Sequence, residues 1–280
     1  MSHFTKRFAL CFAFLPLRLA GPSARADATT TQSFTLAPGW NAIFLEVQPP
    51  SQSPAVVSNG LPIEQVWSYF PTRSPIEFIT NPSDGLWNVA GWNVYLPPGA
   101  PDAAVLTDLF AGQAGQSYLV KISGASNVTM QVTGVPLYRE SKWGADSFTL
   151  TGVRVDPATT ARSGDYFFNS TAHKLQPRFR LDPTGTWTAL TDHSVLAAGK
   201  AYWIFTKGAS DFGAPLQVDL NGADRLDFGP TVTTKPVVIT NKSEPARDHF
   251  SARSPRGWRV FAFRTWSRAR PGGTPEISRW

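Results

Sequence analysis

Short runs of alternating apolar and polar residues recur along most of the chain at intervals of about ten residues. Pro, Gly, Asn and Asp separate these runs, a pattern typical of short β-strands joined by turns. The first run, Ser33 to Gln48, has two alternating halves around Pro38-Gly39 and predicts a hairpin or two consecutive strands. Ile43 and Leu45 would face one side of the sheet, and Phe44 the other.

Only one segment is a good helical candidate, Ala103 to Phe110, and it is about two turns long. Most of the remaining body is typical of strands and turns. Because α/β folds need strands that alternate with longer helices, the pattern predicts an all-β fold built from antiparallel, sandwich-like sheets.

One strand occurs twice in the sequence. GQSYLVKISGAS, Gly115 to Ser126, recurs as GKAYWIFTKGAS, Gly199 to Ser210, 84 positions later. In both copies a glycine opens the run, side chains alternate, and Gly-Ala-Ser closes it. A second match lies upstream, where SFTL at Ser33 to Leu36 recurs at Ser147 to Leu150, 114 positions on. The order of the two landmarks is the same in both halves, which predicts a duplicated unit.

Three motifs extend this repeat. Gly39-Trp40-Asn41 opens one strand, Val66-Trp67-Ser68-Tyr69 forms the next, and the Gly-x-x-Tyr-(Leu/Trp)-(Val/Ile) strand follows in both copies. The series resembles a duplicated module of large exported bacterial surface proteins, and the resemblance implies no catalytic activity. The second copy departs from it, with Gly152-Val153-Arg154 where Gly-Trp-Asn would stand. The two related modules are predicted at residues 27–145 and, in a shorter copy, 146–222.

A different motif begins at Leu226. Leu226-Asp227-Phe228-Gly229 is followed by an apolar strand, Val237 to Thr240, and by Asn241-Lys242-Ser243. This order resembles the first two strands of an immunoglobulin-like domain of the abnormal-spindle or choice-of-anchor type, found in exported bacterial proteins. Such a domain needs about 100 residues, so residues 223–246 are predicted to be an incomplete immunoglobulin-like segment.

The first 26 residues have the layout of a secretory signal peptide. A basic start precedes the apolar run Phe8 to Leu15, and Ala24-Arg25-Ala26 supplies a small-x-small cleavage site. The only cysteine, Cys11, lies in this segment, so the mature chain would have no disulfide. Outside this segment the sequence has no apolar run of the roughly 18 residues needed to span a bilayer. We therefore expect a secreted, extracellular or cell-surface protein, with the periplasm as an alternative location.

The formal net charge of +6 at pH 7 is concentrated at the two ends of the chain. Residues 1–26 contain four basic residues and no acidic one, and residues 247–280 contain eight arginines against two acidic residues. The body between them has 14 basic and 18 acidic residues, so it lacks the clustered Lys and Arg of a nucleic-acid groove. We expect no nucleic-acid partner for the body.

The arginine-rich tail, residues 247–280, has no lysine and no clear period, and it contains three of the ten tryptophans. One hypothesis is that the tail is translated out of frame and truncates the immunoglobulin-like segment. The alternatives are a disordered tail and a basic arm that binds membrane or nucleic acid.

Histidine and carboxylate patterns give little support to catalysis. Asp192-His193-Ser194 contains the residue types of a catalytic triad, yet neighbours in one extended run point to opposite faces. No carboxylate spacing singles out a pair for glycoside hydrolysis. The loop from Asp219 to Asp227 is rich in oxygen ligands but lacks the register of a calcium-binding EF-hand, and an interdomain turn is the alternative. The sequence predicts a protein that is not an enzyme and holds no cofactor or metal.

Aromatic residues are the enrichment with a functional meaning, at 12% of the chain. Most should lie in the core, but flat rings also bind sugars by stacking. The predicted sugar-stacking residues are Trp87 and Trp187, which flank turns, together with Trp92 and Tyr95. We expect a non-catalytic surface or matrix protein that acts as a spacer, adhesion or anchor module. The alternative is a carbohydrate-binding module that uses these rings, with extracellular polysaccharide or other cell-surface components as partners.

Overall fold

A computed structural model describes residues 29–70, 91–223 and 237–242, which form a mainly antiparallel β structure. The first copy contains the strands β1 Thr30–Leu36, β2 Gly39–Leu45, β3 Val47–Gln48, β4 Ile63–Tyr69, β5 Trp92–Tyr95, β6 Gln116–Ile122 and β7 Val128–Pro136, with the helices α1 Pro54–Val57 and α2 Ala103–Leu106. The rest contains β8 Ser147–Gly152, β9 Ala161–Arg162, α3 Ser163–Tyr166, β10 Arg178–Leu181, β11 Trp187–Ala189, β12 Val195–Leu196, β13 Ala201–Thr206, β14 Leu216–Asp219 and β15 Val238–Asn241. The all-β prediction is confirmed.

Two four-stranded sheets have the same strand order. The first-copy sheet is β2-β6-β4-β5 and the second-copy sheet is β8-β13-β10-β11, with every neighbouring pair antiparallel. The strand that occurs twice in the sequence is β6 in one sheet and β13 in the other, and it lies second from the same edge in both. The repeated strand therefore holds the same position in two sheets of the same strand order.

The SFTL landmark does not mark equivalent strands. Ser33–Leu36 lies in β1, which pairs with β7 outside the first-copy sheet, whereas Ser147–Leu150 lies in β8 and takes the place of β2. The register of the strand pairs identifies the true counterparts. Ile43 pairs with Tyr118, and Thr151 pairs with Tyr202, the equivalent tyrosine of the repeated strand. Each residue of β8 therefore corresponds to the residue of β2 that lies 108 positions earlier. The expectation from SFTL was wrong because four alternating residues fit any strand, whereas ladder pairing admits one register.

The counterpart of the Gly-Trp-Asn motif changes with this register. Gly39-Trp40-Asn41 corresponds to Ser147-Phe148-Thr149, and not to Gly152-Val153-Arg154. Gly152 instead occupies the position of Phe44. A side chain at Gly152 would collide with the ring of Phe44, so β2 and β8 approach each other closely here.

The two sheets pack face to face on a common hydrophobic cluster, which we call the shared core. Its members alternate along each strand with residues of the opposite face, and five of them are tryptophans. They are Trp40, Ala42, Phe44, Trp67, Tyr69, Trp92, Val94 and Leu119 from the first copy, and Leu150, Trp187, Ala201 and Trp203 from the second. Each copy therefore supplies the sheet that covers the other.

The outer faces of the sheets are covered differently. The sheet β1-β7-β3 packs on the first-copy sheet over a second core that includes Ile43, Leu45 and Tyr118. The second-copy sheet is covered by α3 and the β9–β12 pair, with Tyr202 and Phe212 in the third core. Strands of the first-copy sheet are thus buried on both faces, which explains why β2 is apolar almost throughout.

Two predicted local elements are found in altered form. The helix expected from Ala103 to Phe110 ends at Leu106, because the next two side chains hydrogen-bond elsewhere. Thr107 accepts from the N–H of Leu96, just after β5, and Asp108 accepts from the N–H of Val94 in β5. The apolar strand expected from Val237 is present as β15, and it pairs antiparallel with β14. The second of the two strands predicted for the immunoglobulin-like segment therefore pairs with β14, and the first, near Leu226, lies outside the described residues.

Gly134 in β7 is a site where the backbone of two strands leaves no room for a side chain. A Cβ at this position would collide with the backbone oxygen of Gln48. We expect Gly134→Ala to lower the free energy of unfolding by about 2 kcal/mol, because the clash forces a backbone shift. Chemical denaturation monitored by circular dichroism measures the change.

Gly112→Ala is the matched control. A Cβ there would lie 3.6 Å from the nearest atom, the backbone oxygen of Gln52, which is an ordinary contact. We expect this variant to unfold within about 0.5 kcal/mol of the wild type. Equal stability of the two variants would contradict the close approach of β3 and β7.

Candidate ligand cleft between the two copies

A cleft of about 820 Å³ opens where the two copies meet. Its walls are the ends of β2, β4 and β6, the connection from β7 to β8, β8 itself, and β14 with its following turn. The volume falls in the range of roughly 300–1,000 Å³ that is usual for small-molecule sites. Neither copy contains all of the walls, so the cleft exists only where the two are joined.

Tyr138 is the aromatic residue of the β7–β8 connection in this cleft. Its hydroxyl oxygen accepts a hydrogen bond from the Val218 backbone N–H at 3.3 Å. The guanidinium carbon of Arg154 lies 4.9 Å from the centre of its ring, within the range of a cation–π contact. These contacts hold a half-buried ring in a fixed position on the cleft wall.

The charged residues that line the cleft are balanced. Arg139 and Lys142 are basic, and Glu140 and Asp219 are acidic. Arg139 also donates to the Ala114 backbone oxygen at 3.2 Å, which ties the connection to the first copy. The cleft is therefore polar without a dominant sign of charge.

A half-buried cation, Arg154, lies behind the wall. Arg154 contacts the rings of Phe44 and Tyr138, and its Nη2 atom is buried with no hydrogen-bond partner among the described residues. Burial raises the pKa of Glu46, and the charge of Arg154 opposes that rise.

The aromatic residues predicted to stack on sugars do not form an exposed surface. Trp92 is 4% exposed and Trp187 is 8% exposed, and both belong to the shared core. Tyr95, 7% exposed, lies in the core between the first-copy sheet and β1-β7-β3. Trp87 lies outside the described residues. The expected exposure of Trp187 is corrected, because β11 directs this ring toward the facing sheet although the residue flanks a turn.

Trp92 and Trp187 are spatial counterparts, which the sequence alone did not show. Trp92 pairs with Tyr69 across the first-copy sheet, and Trp187 pairs with Leu181 at the same place in the second. Both rings approach the Trp203 ring, with centroid distances of 6.3 and 6.2 Å. Their position is explained by packing between the copies.

The sequence Asp192-His193-Ser194 is not assembled as a triad. The Asp192 carboxylate accepts a hydrogen bond from Arg178 at 2.9 Å, and the Ser194 hydroxyl accepts one from the Thr191 backbone N–H at 3.0 Å. His193 is exposed. Because Asp192 and Ser194 bind other groups, the geometry offers no proton relay at this place.

His173 is fully buried and belongs to the third core. Its ring nitrogens bond to the Ser170 hydroxyl at 2.6 Å and to the Thr206 hydroxyl at 3.1 Å, and the Trp143 ring lies 4.2 Å away. Burial, with a smaller effect from Arg178, lowers the pKa of His173 to about 4. The imidazole is therefore neutral near pH 7, and it connects the turn that follows α3 to the end of β13.

The described part of the chain contains no group of three or more His, Cys, Asp or Glu that could hold a metal ion. In the loop considered for calcium, Asp219 accepts a hydrogen bond from the Asn221 backbone N–H, as in an Asx turn. Asp224 and Asp227 lie outside the described residues. In the same described ranges, no helix has the length and hydrophobicity needed to cross a membrane.

The chain matches no protein-family model, no curated protein and no solved structure in the comparisons made. The cleft residues were also not found from the sequence. Tyr138 and Lys142 lie in a connection without a motif, and Gln217 lies in β14, far from both in the chain. The one usable signal was the polar segment that joins two repeated units, since such junctions often form ligand sites.

Proposed function

We propose that the protein is a non-catalytic, exported bacterial surface or matrix component that acts as a rigid spacer or anchor module. The shared core is the observation that carries this proposal. Because each sheet is the cover of the other, the two copies cannot bend about the junction without exposing tryptophans. A stiff unit of this kind is what a spacer requires.

Protected sheet edges support the same role. At the outer edge of β5, the Leu109 N–H donates to the Val94 oxygen at 2.9 Å, and the Asp108 carboxylate accepts from the Val94 N–H at 2.6 Å. At the outer edge of β2, the Phe44 N–H donates to the Gly199 oxygen of the other copy at 2.8 Å. Covered edges resist the addition of a strand from another molecule, so many molecules of this protein can lie side by side without aggregating.

Mechanical unfolding tests the spacer proposal. When the full chain is stretched between its ends in a single-molecule experiment, we expect both copies to unfold in one force event, because they share a core. Two well-separated events, one for each copy, would contradict the proposal.

Fractionation of a bacterial host that expresses the full chain tests the exported location. We expect the unaltered protein outside the cytoplasm. We expect Leu15→Arg to keep the protein in the cytoplasm, because it shortens the apolar run of the predicted leader. Cytoplasmic retention of the unaltered chain would contradict the proposed export. It would leave the result of the single-molecule unfolding experiment unaffected.

A further inference from the structure

The cleft between the copies has no role in a spacer. We propose that it binds a short oligosaccharide segment of an extracellular polysaccharide, and that Tyr138 is the ring on which a sugar packs. This inference goes beyond the spacer role and does not depend on it. The site differs from the tryptophan and tyrosine set expected from the sequence.

The polar groups of the cleft match a ligand rich in hydroxyls. Gln217 and Ser141 present both donors and acceptors, Lys142 donates, and Asp219 accepts. A sugar hydroxyl also donates one hydrogen bond and accepts others, so a mixed set of side chains suits adjacent hydroxyls. The amide of Gln116 is already oriented by donation to Ser68 at 2.8 Å.

Apolar surface lies between these polar groups. Val218 and the ring of Tyr138, both half-buried, line the cleft together with the buried side chains of Phe44 and Leu150. One face of a sugar ring presents C–H groups, which pack on apolar and aromatic surface while the hydroxyls reach outward. Because Val218 and Arg154 hold the Tyr138 ring in place, binding costs little additional ordering of that side chain.

Charge excludes two other classes of ligand. A nucleic acid needs clustered Lys and Arg, whereas Glu140 and Asp219 balance Arg139 and Lys142 here. A wholly apolar ligand would remove these four charged groups from water without pairing them. Arg154 lies behind the wall, so a sugar carboxylate is tolerated, and both neutral and uronic oligosaccharides belong to the proposed class.

The test uses the purified full chain and soluble gluco-, chito-, manno- and galacturono-oligosaccharides in calorimetric titrations. We expect saturable binding to at least one of them. Tyr138→Ala should weaken it about tenfold, which corresponds to roughly 1.4 kcal/mol, and Gln217→Ala should weaken it several-fold. Both variants should keep the wild-type circular dichroism spectrum. The salt dependence of the affinity distinguishes neutral from uronic oligosaccharides, because only a uronic ligand should bind more weakly as the ionic strength rises.

Phe110→Ala is the matched control, since this ring is 73% exposed and does not line the cleft. We expect it to leave affinity unchanged. The inference is overturned if no oligosaccharide binds saturably, or if Tyr138→Ala and Gln217→Ala bind as the wild type does. An equal loss from Phe110→Ala would also overturn it, because adsorption to any exposed ring would then explain the binding.

Discussion

Replacing Trp203 by alanine is expected to lower the free energy of unfolding by roughly 3–5 kcal/mol, the usual loss for a fully buried tryptophan. Trp203 has no exposed surface, and its ring lies 5.4 Å from that of Tyr69 and 6.3 Å from that of Trp92, in the opposite sheet. The cavity would therefore form between the copies and weaken both. Guanidinium denaturation, followed by circular dichroism and tryptophan fluorescence, measures the loss.

Leu119→Ala tests the same feature from the other side of the shared core. Leu119 is the spatial counterpart of Trp203 and is also fully buried, so we expect a loss of about 2–5 kcal/mol. Phe110→Ala, at an exposed ring, should change stability by less than about 0.5 kcal/mol. If Trp203→Ala cost no more than this control, the face-to-face packing of the sheets would be refuted.

Acidification from about pH 6.5 to about pH 4 is expected to remove roughly 2 kcal/mol of stability through His173. The unfolded chain binds a proton at this imidazole near pH 6.5, whereas the folded chain binds it only near pH 4 because the ring is buried. In that interval the unfolded state holds more protons, so stability falls as the pH falls. Below the folded pKa both states are protonated and the loss is complete.

The pH dependence is best isolated by comparing variants. Glu46 acts in the opposite direction, because its pKa is raised on folding, so its contribution grows as the pH falls. Unfolding free energies of the wild type and His173→Gln should therefore be measured across the interval, and their difference should shrink or change sign at low pH. His193→Gln, at an exposed histidine, should follow the wild type. Parallel profiles for His173→Gln and the wild type would contradict a neutral, buried His173.

The sequence predicted strands well where alternation and repetition agreed. The alternation puts Tyr118 and Val120 of β6 on one face, and both lie in the second core. Their counterparts Tyr202 and Ile204 of β13 lie in the third core, whereas Leu119 and Trp203, on the opposite faces, lie in the shared core. Alternation determines which residues share a face because the side-chain period of a strand is two. Alternation is a local property of the sequence, so the residues of one strand suffice to show it.

Alternation does not determine what covers each face. Nothing in the local pattern of β11 distinguishes a Trp187 ring that faces water from one that faces the sheet of the other copy. The cleft was unpredictable for the same reason, since Tyr138 and Gln217 meet only after β14 returns to the β7–β8 connection. Both features depend on contacts between distant parts of the chain.

The contact of Phe44 with Gly152 shows what joining the two copies in one chain made possible. These residues hold equivalent positions, yet one has the largest apolar side chain of β2 apart from Trp40 and the other has none. In a two-fold symmetric dimer of identical single copies, both positions would carry the same residue and present either two rings or two gaps. Covalent linkage allows the two halves to diverge, so that the ring of one fills the space left by the other. A single copy expressed alone would therefore lack the complementary surface needed to rebuild this interface by pairing with itself.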